Sequence, residues 1–222
     1  SITDSSLIKD KKNKSIKVKF QPIIFMNRKI IFGVEGLVRG INKDTNQLIS
    51  PIDLFEAANE KGVTIELDRI CREKVIEEFS YIHKYDKDKY LFLNIDASIL
   101  EKVEGSKYLL SQIRKYDIET KNIVIEINES KIKDNEALKK FIKTYKKLGF
   151  LIAMDDVGAG FSNLDRIPIS QPDIIKIDMS LIRNIHKDYY KQEVFKALVS
   201  LSNKIGAVVV AEGAELEDEA LK

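Results

Sequence analysis

Phe150-Leu151-Ile152-Ala153-Met154-Asp155-Asp156, followed by Val157-Gly158-Ala159-Gly160, decides how the rest of the chain is read. Residues 150–154 form an apolar run of strand length. A run apolar on both sides marks a strand buried in a parallel sheet. This one ends in two adjacent aspartates, and the pattern recurs outward in both directions. Residues 90–93 end at Asn94, 123–125 at Glu126 and 208–211 at Glu212, while 173–177 is a strand carrying Lys176. Helical spacing fills the intervals at 53–60, 65–84, 108–116, 136–148 and 189–205. In the second of these, Leu67, Ile70, Cys71, Val75, Phe79 and Ile82 share one face. Near the start, 16–24 and 29–38 read as two strands joined by a hairpin turn at Met26-Asn27-Arg28. Strand and helix alternate over nearly the whole length, which predicts an α/β fold of the (β/α)8 TIM-like barrel type.

Composition narrows the classes of function. The chain has 222 residues, 44% of them hydrophobic, enough for one large core and one domain. Residues 1–14 read as a linker or disordered terminus and 15–222 as the barrel. Charged residues make up 32% but the net charge is only +2, too little for nucleic-acid binding by bulk electrostatics. Cys71 is the sole cysteine, so there is neither an internal disulfide nor a cysteine-based zinc site. No apolar run reaches the roughly 20 residues that span a bilayer. No signal peptide is expected within the polar, lysine-rich residues 1–14. A cytoplasmic location is expected, with a membrane anchor on a longer parent chain left open. The two histidines, His83 and His186, lie in charge-rich stretches and are expected to be solvated, which leaves no placed base for a Ser/His/Asp triad. Cys71 is expected in the core, and the lysines of 9–19 and 139–147 on solvated faces. No phosphate loop of the GxxxxGK[ST] type occurs.

In an α/β barrel the carboxyl ends of the strands converge on one face, where active sites form. A single carboxylate after a strand is as readily a cap for the next helix. Several together repel one another and need a cation. Glu35, Asn94, Glu126, Asp155 and Asp156 offer hard oxygen donors, suited to Mg²⁺, Mn²⁺ or Ca²⁺ rather than zinc. Successive residues at a strand end point in different directions, so Asp155 and Asp156 are expected to serve two neighbouring cations. Two metals about 3.5–4 Å apart clamp the attacking and leaving oxygens of a phosphoryl displacement. Lys176 is placed to orient a water or neutralise phosphate, the alternative being an ion pair with Asp178. Arg39 suits a phosphate oxygen, the alternative being a surface arginine.

The residues also carry a resemblance. Glu35-Gly36-Leu37, preceded by FQPII (20–24) and followed by VRG (38–40), is similar to the Glu-Ala-Leu signature of the EAL-domain phosphodiesterases of bacterial cyclic-di-GMP signalling. LDR (67–69), FLNID (92–96), IEINES (125–130), MDDVGAGFSNL (154–164), DIIKID (173–178) and AEGAE (211–215) resemble that family's further motifs, in its order. The resemblance implies metal-dependent hydrolysis of cyclic di-GMP to linear pGpG. It assigns Glu35, Asn94, Glu126 and Asp155 to a first metal and Asp156 to a second, with Mg²⁺ or Mn²⁺ as the ions and Ca²⁺ as an inhibitor. Glu35, Lys176 and Glu212 become catalytic, with Lys176 on the attacking water. Arg39, Gln21 and Leu37 become substrate-binding. Glu129 becomes the anchor of the loop 156–166. A homodimer formed near that loop, and sensory or cyclase domains in a parent chain, are implied as partners. Direct DNA binding and membrane contact by this segment are not.

The sequence departs from the family at four places. Gly36 replaces alanine and is expected to add backbone freedom beside a ligand. Gly40 replaces an aromatic and is expected to loosen substrate packing. Asp96 replaces serine and adds negative charge. The family's last strand, with its substrate-side glutamine, is expected to be missing from 1–222, which leaves open edges on strands one and seven unless 1–222 is a truncated chain or its ordered part alone, or another chain completes the barrel. Gly36, Gly40 and the missing end support an alternative, a catalytically silent module that binds cyclic di-GMP or a protein partner. A different barrel enzyme, such as a sugar-phosphate lyase or isomerase, explains the strand-end acids but not the ordered motifs.

Overall fold

A computed structural model describes residues 15–95, 104–127, 134–159 and 164–220. The chain divides into two compact units, 1–123 and 124–222.

The first unit is built on a long antiparallel hairpin. Strand β1 (Ile16–Phe25) pairs with β2 (Ile30–Ile41) in a register that sets Gln21 opposite Glu35 and Lys17 opposite Arg39. Both strands run further than the sequence pattern indicated, because main-chain pairing continues past the last alternating residue. The two-residue strand β3 (Leu48–Ile49) pairs with the end of β2, and β4 (Tyr90–Asn94) lies parallel to β2 with Glu35 opposite Phe92. Helix α1 (Pro51–Glu60) starts as its sequence dictates. The Ser50 hydroxyl accepts from the Asp53 N–H at 3.2 Å and Pro51 occupies the first turn, where its missing N–H costs nothing. Helix α2 (Thr64–Tyr85) buries Leu67, Cys71, Val75, Phe79 and His83, a stripe of four-residue steps. With Ile16, Ile49, Leu54 and Ala58 it forms the core on one face of the hairpin. Helix α3 (Glu104–Lys115) adds Leu109 and Ile113.

The position of His83 corrects the expectation that it is solvated. It is 2% exposed, lies 5.6 Å from the Phe79 ring, and burial, followed by the nearby Lys87 charge, holds its pKa below the usual histidine value. Cys71 is in the core, as expected, and burial pushes its thiol up to about 12.

The second unit is a run of parallel strands: β5 (Ile123–Ile127, opening at the boundary), β6 (Leu151–Val157), β7 (Ile174–Ile177) and β8 (Val208–Ala211). β5 and β7 are buried along their whole length, which is why they read as continuous apolar runs. Helix α4 (Asn135–Lys147) is capped by Asp134, whose carboxylate accepts from the Glu136 and Ala137 N–H groups at 2.9 and 3.1 Å. It buries Leu138, Phe141, Ile142 and Tyr145, and leaves Lys139, Lys140, Lys143 and Lys147 exposed. Short helices α5 (Ile167–Ser170) and α6 (Met179–Ile182) and the longer α7 (Tyr189–Ile205) cover a core of Met154, Val157, Ile175, Ile177, Leu181 and Leu198. Helix α8 (Glu217–Ala220) follows β8. Among the described residues no helix is long and apolar enough to cross a membrane.

Candidate functional site

The second unit gathers charge at the carboxyl ends of its strands. Lys176, third residue of β7, is 2% exposed. Its ammonium lies 2.6 Å from Glu126 Oε1, 3.0 Å from Asp155 Oδ1 and 2.6 Å from Glu212 Oε1. Glu126 belongs to β5 and is 1% exposed, Asp155 belongs to β6, and Glu212 follows β8 directly. The Glu212 N–H donates to the Ile177 carbonyl at 3.0 Å, continuing the β7–β8 ladder by one step. A buried ammonium is tolerable only with opposite charge against it, and here three carboxylates supply it. Asp178, the alternative partner, caps α6 instead, accepting from the Ser180 N–H at 2.8 Å.

Asp156 joins the group through a local irregularity. Met154 stands opposite Ile175 and Val157 opposite Ile177, so Asp155 and Asp156 together face the single residue Lys176. This is a β-bulge, a device that re-aims side chains beside functional sites. Asp156 absorbs it with φ of +55°, a left-handed conformation that aspartate tolerates better than most residues. One carboxylate oxygen each from Asp155, Asp156 and Glu212 then lies within 4.8 Å of the others. The sequence had suggested divergent directions for the two aspartates. The bulge sets one oxygen of each beside the same Glu212 oxygen.

The donor chemistry fits a hard divalent cation. Glu126, Asp155, Asp156 and Glu212 are four carboxylates against one ammonium, with neither histidine nor cysteine among them. The formal negative charge is compensated by a bound cation more readily than by further burial.

In the first unit the structure brings together Glu35 and Asn94. The Asn94 amide donates to Glu35 Oε1 at 3.0 Å across the β2–β4 pair. Alternation along β2 puts Glu35, Leu37 and Arg39 on one face of the strand, with Gln21 opposite Glu35 on β1. Arg39 is half-buried and donates to the Val38 carbonyl at 2.7 Å. Gly36, Val38 and Gly40 occupy the other face, against the helices.

That placement corrects two expectations. A Cβ on Gly36 would meet Val75 Cγ1 of α2 at 2.3 Å, so the glycine is a packing contact rather than a source of freedom. A Cβ on Gly40 would meet Ile49 at 3.1 Å and Leu54 at 3.2 Å, both core residues, so this position does not face a substrate. Glu129, Asp96 and the segment 160–163 lie outside the described residues. Sequence reasoning missed the bulge and the Val75 contact. The bulge has no signature beyond the aspartate pair itself.

Comparison with known proteins follows the same lines. The EAL domain family model matches residues 5–222. The cyclic di-GMP phosphodiesterase PdeR of Escherichia coli is 28% identical over 97% of this chain and 32% of its own length. The EAL-domain containing protein YkuI of Bacillus subtilis is 29% identical over 88% of this chain and 48% of its own. The chain thus spans a third to a half of these curated relatives. Among solved structures, a standalone EAL protein from Vibrio cholerae in a c-di-GMP bound form aligns with TM-score 0.81 and 31% identity over 93% of this chain and 84% of that one. Klebsiella pneumoniae BlrP1 in a manganese/cy-diGMP complex gives 0.83 and 26% over 94% and 52%. The fold is the α/β, TIM-like class of these structures. Ordered motifs, strand topology and a match over almost the full length converge on one assignment: the chain belongs to the EAL domain family.

Proposed function

We propose that the chain hydrolyses one phosphodiester of cyclic di-GMP, giving linear pGpG, with the help of divalent cations, Mg²⁺ or Mn²⁺ and two in number. The observation that carries this reading is the buried Lys176 held among Glu126, Asp155 and Glu212, with Asp156 turned toward the same place. Relatives named as cyclic di-GMP phosphodiesterases, and a structural neighbour holding manganese and cy-diGMP, support the proposed substrate and metal class.

Asp155, Asp156 and Glu212 are the carboxylates proposed to hold metal in the second unit, with Glu126, Glu35 and Asn94 as further ligands on the family pattern. A bound divalent cation supplies charge neutralisation and a more acidic coordinated water. The chain's own groups do the rest. Lys176 keeps neighbouring carboxylates at fixed spacing and sets a positive charge beside the attacking water. Arg39 binds a non-bridging phosphate oxygen, with Gln21 and Leu37 beside the substrate. Glu129, outside the described residues, keeps the loop-anchor role only as the family pattern assigns it. One P–O bond forms to the water oxygen, one P–O bond of the ring breaks, and the departing ribose oxygen leaves as a hydroxyl. Cytoplasmic location, a homodimer and regulatory domains in a parent chain complete the proposal.

The silent-module alternative drew on Gly36, Gly40 and the missing end, and the two glycines sit on the helix-facing side of β2. The test is direct. Purified protein with Mn²⁺ and cyclic di-GMP should release pGpG, followed by chromatography, and Asp155→Asn or Glu35→Ala should abolish release. Binding of cyclic di-GMP without any turnover would replace the hydrolytic reading by the silent one.

A further inference from the structure

Glu219 is an acidic residue that the reading above leaves unused. It lies in α8, beyond Glu212, and is 7% exposed. Its two oxygens have different tasks. Oε2 accepts from the backbone N–H groups of Glu215 at 3.0 Å and Leu216 at 3.1 Å. That is an ordinary helix start: a glutamate in the first turn reaching back to the N–H of the capping residue. Oε1 accepts from the N–H of Asn184 at 2.6 Å, across 35 residues of chain. No helix cap requires that bond.

The bond joins two particular segments. The segment containing Asn184 runs on from β7, which carries Lys176. The segment held by Oε2 runs on from β8 and begins with Glu212. Asn184 itself is in a left-handed turn with φ of +59°, a conformation that benefits from an external tie. A second link between the same segments, Arg183 Nη2 to Glu215 Oε1 at 2.8 Å, has side chains 50% and 70% exposed and is screened by solvent. Glu219 is therefore the buried member of the pair. The Asn184 and Glu215 N–H groups hold its carboxyl below the usual range, so it is ionised and acceptor-only at neutral pH.

We propose that Glu219 is a positioning residue, whose carboxylate ties the segment after Lys176 to the segment after Glu212 and so fixes Glu212 against Lys176 and the metal-binding carboxylates. The proposal rests on the hydrolytic reading of that centre. It demands an acceptor at both oxygens. Glutamine offers one, so its amide N–H faces either the Asn184 N–H or the Glu215 and Leu216 N–H groups, and one end of the tie is lost either way.

The test compares wild type, Glu219→Gln, Glu219→Ala and Arg183→Ala by Mn²⁺ calorimetry, steady-state kinetics on cyclic di-GMP, and thermal unfolding. Losing a group that orients ligands costs about 10–100-fold in metal affinity. Glu219→Gln should weaken Mn²⁺ binding near the lower end of that range and lower kcat with KM nearly unchanged. Glu219→Ala should lie toward the upper end, and Arg183→Ala should leave Mn²⁺ affinity within about twofold, as an exposed pair would. Mn²⁺ binding equal to wild type in Glu219→Gln, whatever the melting temperature, overturns the proposal and leaves Glu219 a helix cap. Should Glu219→Ala fail to fold, Glu219→Gln decides alone. A wild type that neither binds Mn²⁺ nor turns over substrate sinks the hydrolytic reading instead. The tie is then read by amide hydrogen exchange: faster exchange at Asn184, or at Glu215 and Leu216, in Glu219→Gln supports it, and unchanged rates at all three overturn it.

Discussion

Gly36 shows how one missing methyl group is written into another element. Val75 occupies the space a Cβ would need, at 2.3 Å. Gly36→Ala should therefore destabilise by about 1–3 kcal/mol, the usual cost of overpacking. Adding Val75→Ala should recover much of that loss, because the two residues share one volume. Denaturant titration of the four species measures the coupling, and strictly additive single effects would refute the contact. Cys71 provides a second residue-scale check. With its thiol pushed up to about 12 and its side chain buried, it should resist iodoacetamide at pH 8 in the native protein and react once unfolded, as mass spectrometry would register. Lys176 provides a third. Lys176→Met removes the ammonium that three carboxylates face, and should cost about 3–5 kcal/mol, as breaking a buried pair does. A combined Glu126→Gln change should return part of it. An unaltered denaturation midpoint in Lys176→Met would contradict the charge balance described.

The elements were largely legible, because period and length carry that information. β7, α4 and α7 fall within a residue or so of where the spacing put them. The errors have specific causes. β6 was expected to stop at Met154, since the aspartates look like a loop, yet the ladder continues to Val157 through the bulge. His83 was expected in water because its neighbours are charged, although it stands one four-residue step beyond the buried Phe79. The bulge makes a prediction of its own. At φ of +55°, glycine is easy and alanine strained, so Asp156→Ala should be less stable than Asp156→Gly by about 1–2 kcal/mol, reversing the preference of an ordinary strand. Equal midpoints would mean the backbone there is relaxed.

For the molecule as a whole, acidity and metal should act in opposite directions. Glu219 has a depressed carboxyl, so the stability it contributes is full above the ordinary carboxylate value and is lost as pH falls through the lower, folded one. His83 is also depressed, by burial first. The neutral form is favoured in the fold, and its contribution is present above the ordinary value of 6.5 and declines as pH falls. Melting temperature should thus drop on acidification in two stages, the earlier one reduced in His83→Gln. Divalent cation should raise melting temperature with its concentration, the added unfolding free energy reaching about 2.7 kcal/mol at one hundred times the dissociation constant. Absence of any rise with millimolar Mn²⁺ would count against the carboxylate group as a metal site. The acids of the second unit were legible because each follows an apolar run in the sequence. The Lys176 bonds, the Val75 contact and the Asn184 tie were not, since each depends on a neighbour distant in sequence.

The two-for-one pairing of Asp155 and Asp156 with Lys176 has an evolutionary corollary. Removing a single codon, that of Asp156, would put Met154, Asp155 and Val157 in step with Ile175, Lys176 and Ile177, an uninterrupted ladder without its strained residue. Descendants carrying that loss would keep a less strained strand with one carboxylate fewer beside Lys176. On the hydrolytic reading, turnover is what retains the extra aspartate, at a cost in backbone strain.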